Sequence, residues 1–155
     1  MQRIYPSRPF VGVGGVILRG DRVLLIRRGR PPRQGEWSIP GGVQRLGETV
    51  IQALRREMAE ETALEVDPGV PGAGGLIDVI DYIDRDEDAT VRHHYTLIDF
   101  WCDSHAGEAR AGDDASELCW VEIGDIGDYH LWHQTERIIL RAVALRRADT
   151  SQRRA

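Results

Sequence analysis

The chain has 155 residues, 41% hydrophobic and 29% charged, a balance that suits one folded domain and excludes both a disordered chain and a multi-domain assembly. No apolar run approaches the roughly 18 residues of a membrane span, so no membrane partner is expected. Twenty Lys and Arg against twenty-five Asp and Glu leave a formal net charge of −5, which argues against indiscriminate binding to a nucleic-acid polymer; any anionic ligand must be met by a local cluster of positive charge.

In chain order, Phe10 to Leu18 is rich in β-branched residues and glycine, Arg19 to Arg22 punctuates it, and Val23 to Ile26 continues, which predicts two strands and a tight turn. Arg27 to Gly35 is a proline- and glycine-broken loop carrying Arg27, Arg28, Arg30 and Arg33. Trp37 to Ile39 reads as a short strand ended by Pro40, Gly41 and Gly42. From Thr49 to Thr62 the pattern is helical, and Thr49 followed three residues later by Gln52 is a capping box. Leu76 to Ile83 and Val91 to Trp101 read as long strands around an acidic hairpin loop from Asp84 to Asp88. A polar loop from Asp103 to Glu117, a strand from Leu118 to Ile123 and an amphipathic helix from Gln134 to Leu145 follow, and Arg146 onward carries little to bury. Strands with one central and one final helix make an α/β or α+β pattern in which helices cover a sheet. One domain over residues 1–147 and a frayed tail over 148–155 are expected. Cys102 and Cys119 form neither a metal-spacing pair nor a disulfide framework, and the first residues lack a secretory pattern, so a reducing cytoplasm is the expected location.

The chemistry concentrates on the central helix. At about 100° per residue, Glu57, Glu60 and Glu61 share one arc, and Glu61 falls at the edge of the apolar stripe of Val50, Ile51, Leu54 and Met58, so these acids lie partly toward the protein. They also crowd the negative end of the helix dipole and repel one another, which calls for a cation. Hard oxygen donors without Cys or His suit Mg²⁺, with Mn²⁺ as a substitute. A solvated acidic patch at a helix end is the plain alternative. Arg56, four residues before Glu60, is placed to neutralise that carboxylate or fix its rotamer.

Gly42, five residues, Glu48, seven residues, and then Arg56-Glu57-Met58-Ala59-Glu60-Glu61-Thr62-Ala63-Leu64 resembles the Nudix box. Ala63 departs from it, standing where the family carries glycine at a left-handed helix end. The resemblance implies a Nudix-like α/β/α sandwich with a mixed β-sheet and a metal-dependent pyrophosphatase acting on a nucleoside diphosphate linked to another moiety. By position it implies Glu57, Glu60 and Glu61 as metal ligands, a backbone carbonyl from Gly41, and Glu48 in support. Arg56, Glu48 and the three glutamates form the expected catalytic set. Bound metal would neutralise charge on the leaving phosphate and lower the pKa of a water.

Asp113, Asp114 and Glu117 precede a Trp-bearing strand, where Nudix enzymes often recruit a further ligand or base. Asp114 is the candidate ligand and Glu117 a candidate substrate contact, with a solvated acidic loop as the alternative. Arg27 and Arg28 are candidate phosphate clamps among the four loop arginines. Adjacent strand residues point to opposite faces, so His93 and His94 cannot share a metal by simple strand geometry; His94 is the candidate for a substrate contact. Tyr82 and Trp37 are candidates for stacking on a base, with core or rim packing as the plain alternative for each. Gly12, Gly14 and Gly15 do not form a dinucleotide fingerprint, because Ile17 stands at the third glycine position and no helix follows.

Substrate signatures within the family fit loosely. The proline that marks many ADP-ribose hydrolases beyond the box is absent, and Tyr82 lies near where diadenosine polyphosphate hydrolases carry a tyrosine. By overall layout the chain is similar to small bacterial Nudix proteins grouped with ADP-ribose pyrophosphatases. ADP-ribose or a similar compound is therefore the expected substrate, with nucleoside triphosphate or dinucleoside polyphosphate hydrolysis as the alternative. A nucleotide sensor that does not cut is the rival of another class, although its usual mark, an eroded glutamate set, is lacking. Homodimers are common in the resembled family.

Overall fold

The computed structural model describes residues 2–112 and 114–154. Strands β1 (Phe10–Arg19) and β2 (Arg22–Arg28) form the expected antiparallel hairpin, with Leu18 opposite Val23. They pair only near the turn and then part. Into the gap come β3 (Trp37–Ser38), which pairs with Ile26 and Arg27 of β2, and β4 (Gly41–Val43), which pairs with Gly12 to Gly14 of β1. After helix α1 (Val50–Thr62), β5 (Gly74–Arg85) and β6 (Val91–Asp103) form a long antiparallel pair. β6 lies parallel to β1, Phe10 opposite Tyr95, while β7 (Ala115–Glu122) runs antiparallel to β2. A 3₁₀ segment (Ile123–Tyr129) then leads to helix α2 (His133–Arg154).

The result is a mixed sheet between two helices, because β1 is apolar on both faces. Val13 and Ile17 pack with Leu54 and Met58 of α1, whereas Val16 and Leu18 pack with Ile138, Ile139 and Ala142 of α2. Each fully buried aliphatic side chain contributes about 1.5–3 kcal/mol to holding these layers together. The helix α1 starts as its sequence dictates: Thr49 Oγ1 accepts from the Gln52 amide at 3.1 Å, and Gln52 Oε1 accepts from the Thr49 amide at 2.8 Å. It ends with Ala63 at φ 60°, left-handed as the family glycine position requires, its amide donating to Ala59 O.

Three expectations are corrected. The last helix does not stop near Leu145 but continues to Arg154, through the residues expected to fray. Arg146 donates to the Gly20 carbonyl at 2.8 Å and pairs with Asp103, and Arg153 donates to the Pro71 carbonyl, long-range anchors that apolar periodicity does not register. Strands β5 and β7 reach into both expected loops, to Arg85 and from Ala115, because β6 and β2 supply partners there. The 3₁₀ segment, which buries Ile126, was not foreseen. Among the described residues no helix is long and apolar enough to cross a membrane.

Candidate active site

The last turns of α1 lie against β4, and this contact arranges the acids. Glu61 is only 5% exposed, and its Oε2 accepts from the Gly41 amide at 2.9 Å. Burial pushes its carboxyl up to about 8, against the pull of the Gly41 hydrogen bond and the Arg28 charge, with Glu57 and Asp114 adding repulsion. Glu57 is also pushed up, chiefly by burial, while its bond to Arg56 opposes the shift. The box glycine has a steric role: a Cβ on Gly42 would lie 2.1 Å from Glu57 Cδ, so any side chain there displaces this carboxylate.

Arg56 is the hub of the polar network. Its Nη1 donates to Glu57 Oε1 at 2.6 Å and to Glu60 Oε2 at 3.3 Å, and its Nη2 donates to the Val43 carbonyl and to Glu48 Oε2, both at 3.0 Å. Glu48 also accepts from the Arg45 amide at 2.8 Å, and these donors, Arg56 foremost, hold it down at about 2. The guanidinium thereby fixes three box carboxylates, Glu48, Glu57 and Glu60, and one backbone carbonyl around one planar cation.

The donor set around α1 consists of carboxylate oxygens at the end of a helix dipole, the chemistry of a hard divalent-cation site. Buried Glu61, raised by desolvation and facing two other acids, is the observation that fits such a cation. In the described residues, however, Glu60 is turned to Arg56 and Glu61 to Gly41, and no three His, Cys, Asp or Glu side chains gather closely enough to form a complete cage.

A cavity of about 180 Å³ opens beside these groups. Glu61, Gly41, Arg28 and Asp114 line it, and so do Tyr82, Tyr95 and Trp132. Tyr82 and Trp132 meet edge to face with centroids 5.5 Å apart, and Arg33 stacks over Trp132 at 5.6 Å. Arg28 is largely withdrawn from water, which lowers its pKa, and its Nε donates to the Pro32 carbonyl at 2.7 Å. Carboxylate oxygens, a guanidinium and an aromatic wall thus share one compartment.

Of the residues expected from sequence, Glu61, Gly41, Asp114, Arg28, Tyr82 and Trp37 reach this cavity. Asp114 also pairs with Arg30 at 2.8 Å. Asp113 lies outside the described residues. Three expected substrate contacts are elsewhere. Arg27 donates to the Gly35 carbonyl and pairs with Glu117 at 3.2 Å in an exposed bridge, so these two satisfy each other away from the cavity. His94 is out of phase: Tyr95, Leu97 and Asp99 line the cavity, and strand alternation turns His94 to the other face. His93 is buried and bonded to Asp84 at 3.0 Å. Sequence reasoning missed Asp99, Tyr95, Trp132 and Thr135. A lone acid amid Leu97, Ile98, Phe100 and Trp101 was the available signal for Asp99.

A family model described as the NUDIX domain matches residues 8–143. The chain belongs to the Nudix family. This Nudix chain is 37% identical over 124 residues to ADP-ribose pyrophosphatase of Methanocaldococcus jannaschii, covering 80% of the chain and 68% of the relative. It is 38% identical over 118 residues to the putative 8-oxo-dGTP diphosphatase 2 of Mycobacterium tuberculosis, covering 75% of each. Among solved structures it resembles the MutT NUDIX hydrolase of Burkholderia pseudomallei, with a TM-score of 0.73 at 29% identity, covering 87% of this chain and 98% of that one. The mixed-sheet fold expected of a Nudix protein is the fold found.

Proposed function

We propose that this Nudix chain hydrolyses a pyrophosphate bond in a nucleoside diphosphate linked to another moiety, ADP-ribose or a similar compound, with Mg²⁺ as cofactor and Mn²⁺ able to replace it. It would act on the free small molecule in the cytoplasm. The observation that carries this reading is the single cavity shared by Glu61, Arg28 and the Tyr82–Trp132 pair. The archaeal relative named ADP-ribose pyrophosphatase supports the substrate class. The mycobacterial relative named a putative 8-oxo-dGTP diphosphatase favours a second reading, hydrolysis of a nucleoside triphosphate.

Glu57, Glu60 and Glu61, with the Gly41 carbonyl and Asp114, would hold the metal. When bound, a divalent cation supplies charge neutralisation on the pyrophosphate and a water of lowered pKa. The remaining work belongs to the protein. Arg56 and Glu48 hold Glu57 and Glu60 at set rotamers through the bonds described above, and the Gly41 amide orients Glu61. Arg28 offers a permanent positive charge to the phosphates, and the aromatic wall takes the base out of water.

The test is phosphate release from ADP-ribose, nucleotide sugars, diadenosine polyphosphates, NADH and nucleoside triphosphates, with Mg²⁺, Mn²⁺ or EDTA and a coupled phosphatase. Metal-dependent cleavage of ADP-ribose supports the proposal, and preferential cleavage of triphosphates selects the second reading. Tight nucleotide binding without any cleavage would replace both with a sensor.

A further inference from the structure

Asp99 lies in the middle of β6, 6% exposed, between Ile98 and Phe100. Its carboxyl sits directly over β1: a Cβ on Gly14 would stand 2.3 Å from Asp99 Oδ1 and 3.1 Å from Ile39 Cδ1. Gly14 therefore gives this acid its room. Among the described residues no protein donor bonds to either Asp99 oxygen. Arg137, whose charge reaches it, is already bonded to Asp78 and Gln134. Sealed-off side-chain oxygens and nitrogens without partners are absent from the described residues, so the unpaired Asp99 oxygens open onto the cavity that Asp99 lines.

A carboxyl that served only the fold would bond a backbone amide or a hydroxyl, since burying it unpaired is costly. Here the fold provides no such return. The hydrogen-bond donors must come from what enters the cavity, and Leu97, Tyr82 and Trp132 around it favour a flat, largely apolar ring. On the reading that the site takes a nucleotide, we propose that Asp99 reads the nucleobase, accepting a hydrogen bond from an exocyclic amino group. Burial raises the Asp99 carboxyl to about 7, with Asp78 adding to the shift and Arg137 opposing it, so both of its forms are accessible near neutrality. The acid form offers a donor beside an acceptor, which matches the amino group and ring nitrogen of adenine. The ionised form offers two acceptors, which match the ring N–H and amino group of guanine.

The test measures binding in EDTA, separately from turnover, by calorimetry on the full chain. AMP is compared with purine riboside monophosphate and GMP with IMP, each pair differing by one amino group. Wild type should favour the amino member of one pair by about tenfold or more, the scale of a base-edge contact, and the pair that responds names the base. Asp99→Leu should abolish the preference while raising Tm, because an apolar group replaces an unpaired acid. Asp99→Asn, which keeps the shape, should preserve an adenine preference, since an amide also donates and accepts, and should lose a guanine preference. Equal affinities within both pairs in wild type would overturn the inference, as would a preference that survives Asp99→Leu or an Asp99→Asn pattern opposite to that expected. Cleavage of pyrophosphates without any amino preference defeats this inference alone. An amino preference without cleavage of any compound leaves it standing and defeats the hydrolase reading.

Discussion

The Gly41 amide donates to Glu61 Oε2 across 2.9 Å and so ties strand β4 to the last turn of α1. The bond joins residues twenty positions apart, and it keeps a buried carboxylate aimed at the cavity that also holds Arg28. The arrangement of the box acids depends on such contacts between helix and strand.

Glu60→Gln removes one charge from the proposed metal site with little change in shape. The side chain is a third exposed and, among the described residues, bonds to Arg56 and pairs with Arg45, so the fold should persist. Turnover at saturating Mg²⁺ should fall by about 100-fold or more, beyond what the loss of an outer-shell partner causes. Steady-state kinetics with a parallel thermal melt check this, and unchanged turnover would remove Glu60 from the site.

Gly42→Ala places a methyl group where Glu57 now lies, since the nearest carboxyl atom is 2.1 Å from that Cβ. Glu57 must swing away from Arg56. The Mg²⁺ concentration for half-maximal turnover should rise by about tenfold or more, the size of effect seen when ligand orientation is lost. A metal titration of wild type and variant reads the shift.

Ala63→Gly restores the residue that the family pattern carries. At φ 60° an alanine bears left-handed strain of about 1–2 kcal/mol, and glycine returns part of that gain through its greater freedom when unfolded. A net stabilisation of about 0.5–1 kcal/mol is expected in urea denaturation. A loss of stability would show that the strain argument fails at this helix end.

Asp84 should confer pH-dependent stability. Arg92 donates to it at 2.7 and 3.1 Å and His93 lies at 3.0 Å, and these partners, Arg92 first, hold its carboxyl down at about 2, below the ordinary 3.8. A carboxyl depressed in the folded state stabilises at pH values above its unfolded pKa, and that contribution is lost as pH falls from about 4 toward 2. Asp84→Asn should therefore melt about 2 °C below wild type at pH 6, with the gap closing toward pH 2. A gap that is the same at both pH values would assign the loss to packing.

Much of this protein was legible without coordinates because it is local. The Thr49–Gln52 capping box spans one helical turn, and both of its bonds are present. The arc of Glu57, Glu60 and Glu61 follows from helical pitch, and the left-handed Ala63 follows from its place in the box. The same local logic separated His93 from His94, since strand alternation needs no knowledge of neighbours. It could not decide which histidine shares the cavity's side of the sheet, or that neither lines the cavity, because that depends on which side of the sheet α2 covers.

The amino-acid sequence by itself determined where the helix of acids begins and ends, which acids share its face, and which family chemistry they resemble. Those properties rest on short-range geometry and residue type. Only the tertiary structure decided that Arg27 and Glu117 satisfy each other at the surface, that Arg146 and Arg153 anchor an extended α2, and that Asp99 hangs over Gly14 with no bonded partner among the described residues. Each of these joins segments far apart in the chain. Parallel pairing of β1 with β6 sets Gly14 opposite Asp99 across 85 positions, a register fixed by packing both sheet faces at once rather than by any nearby residue.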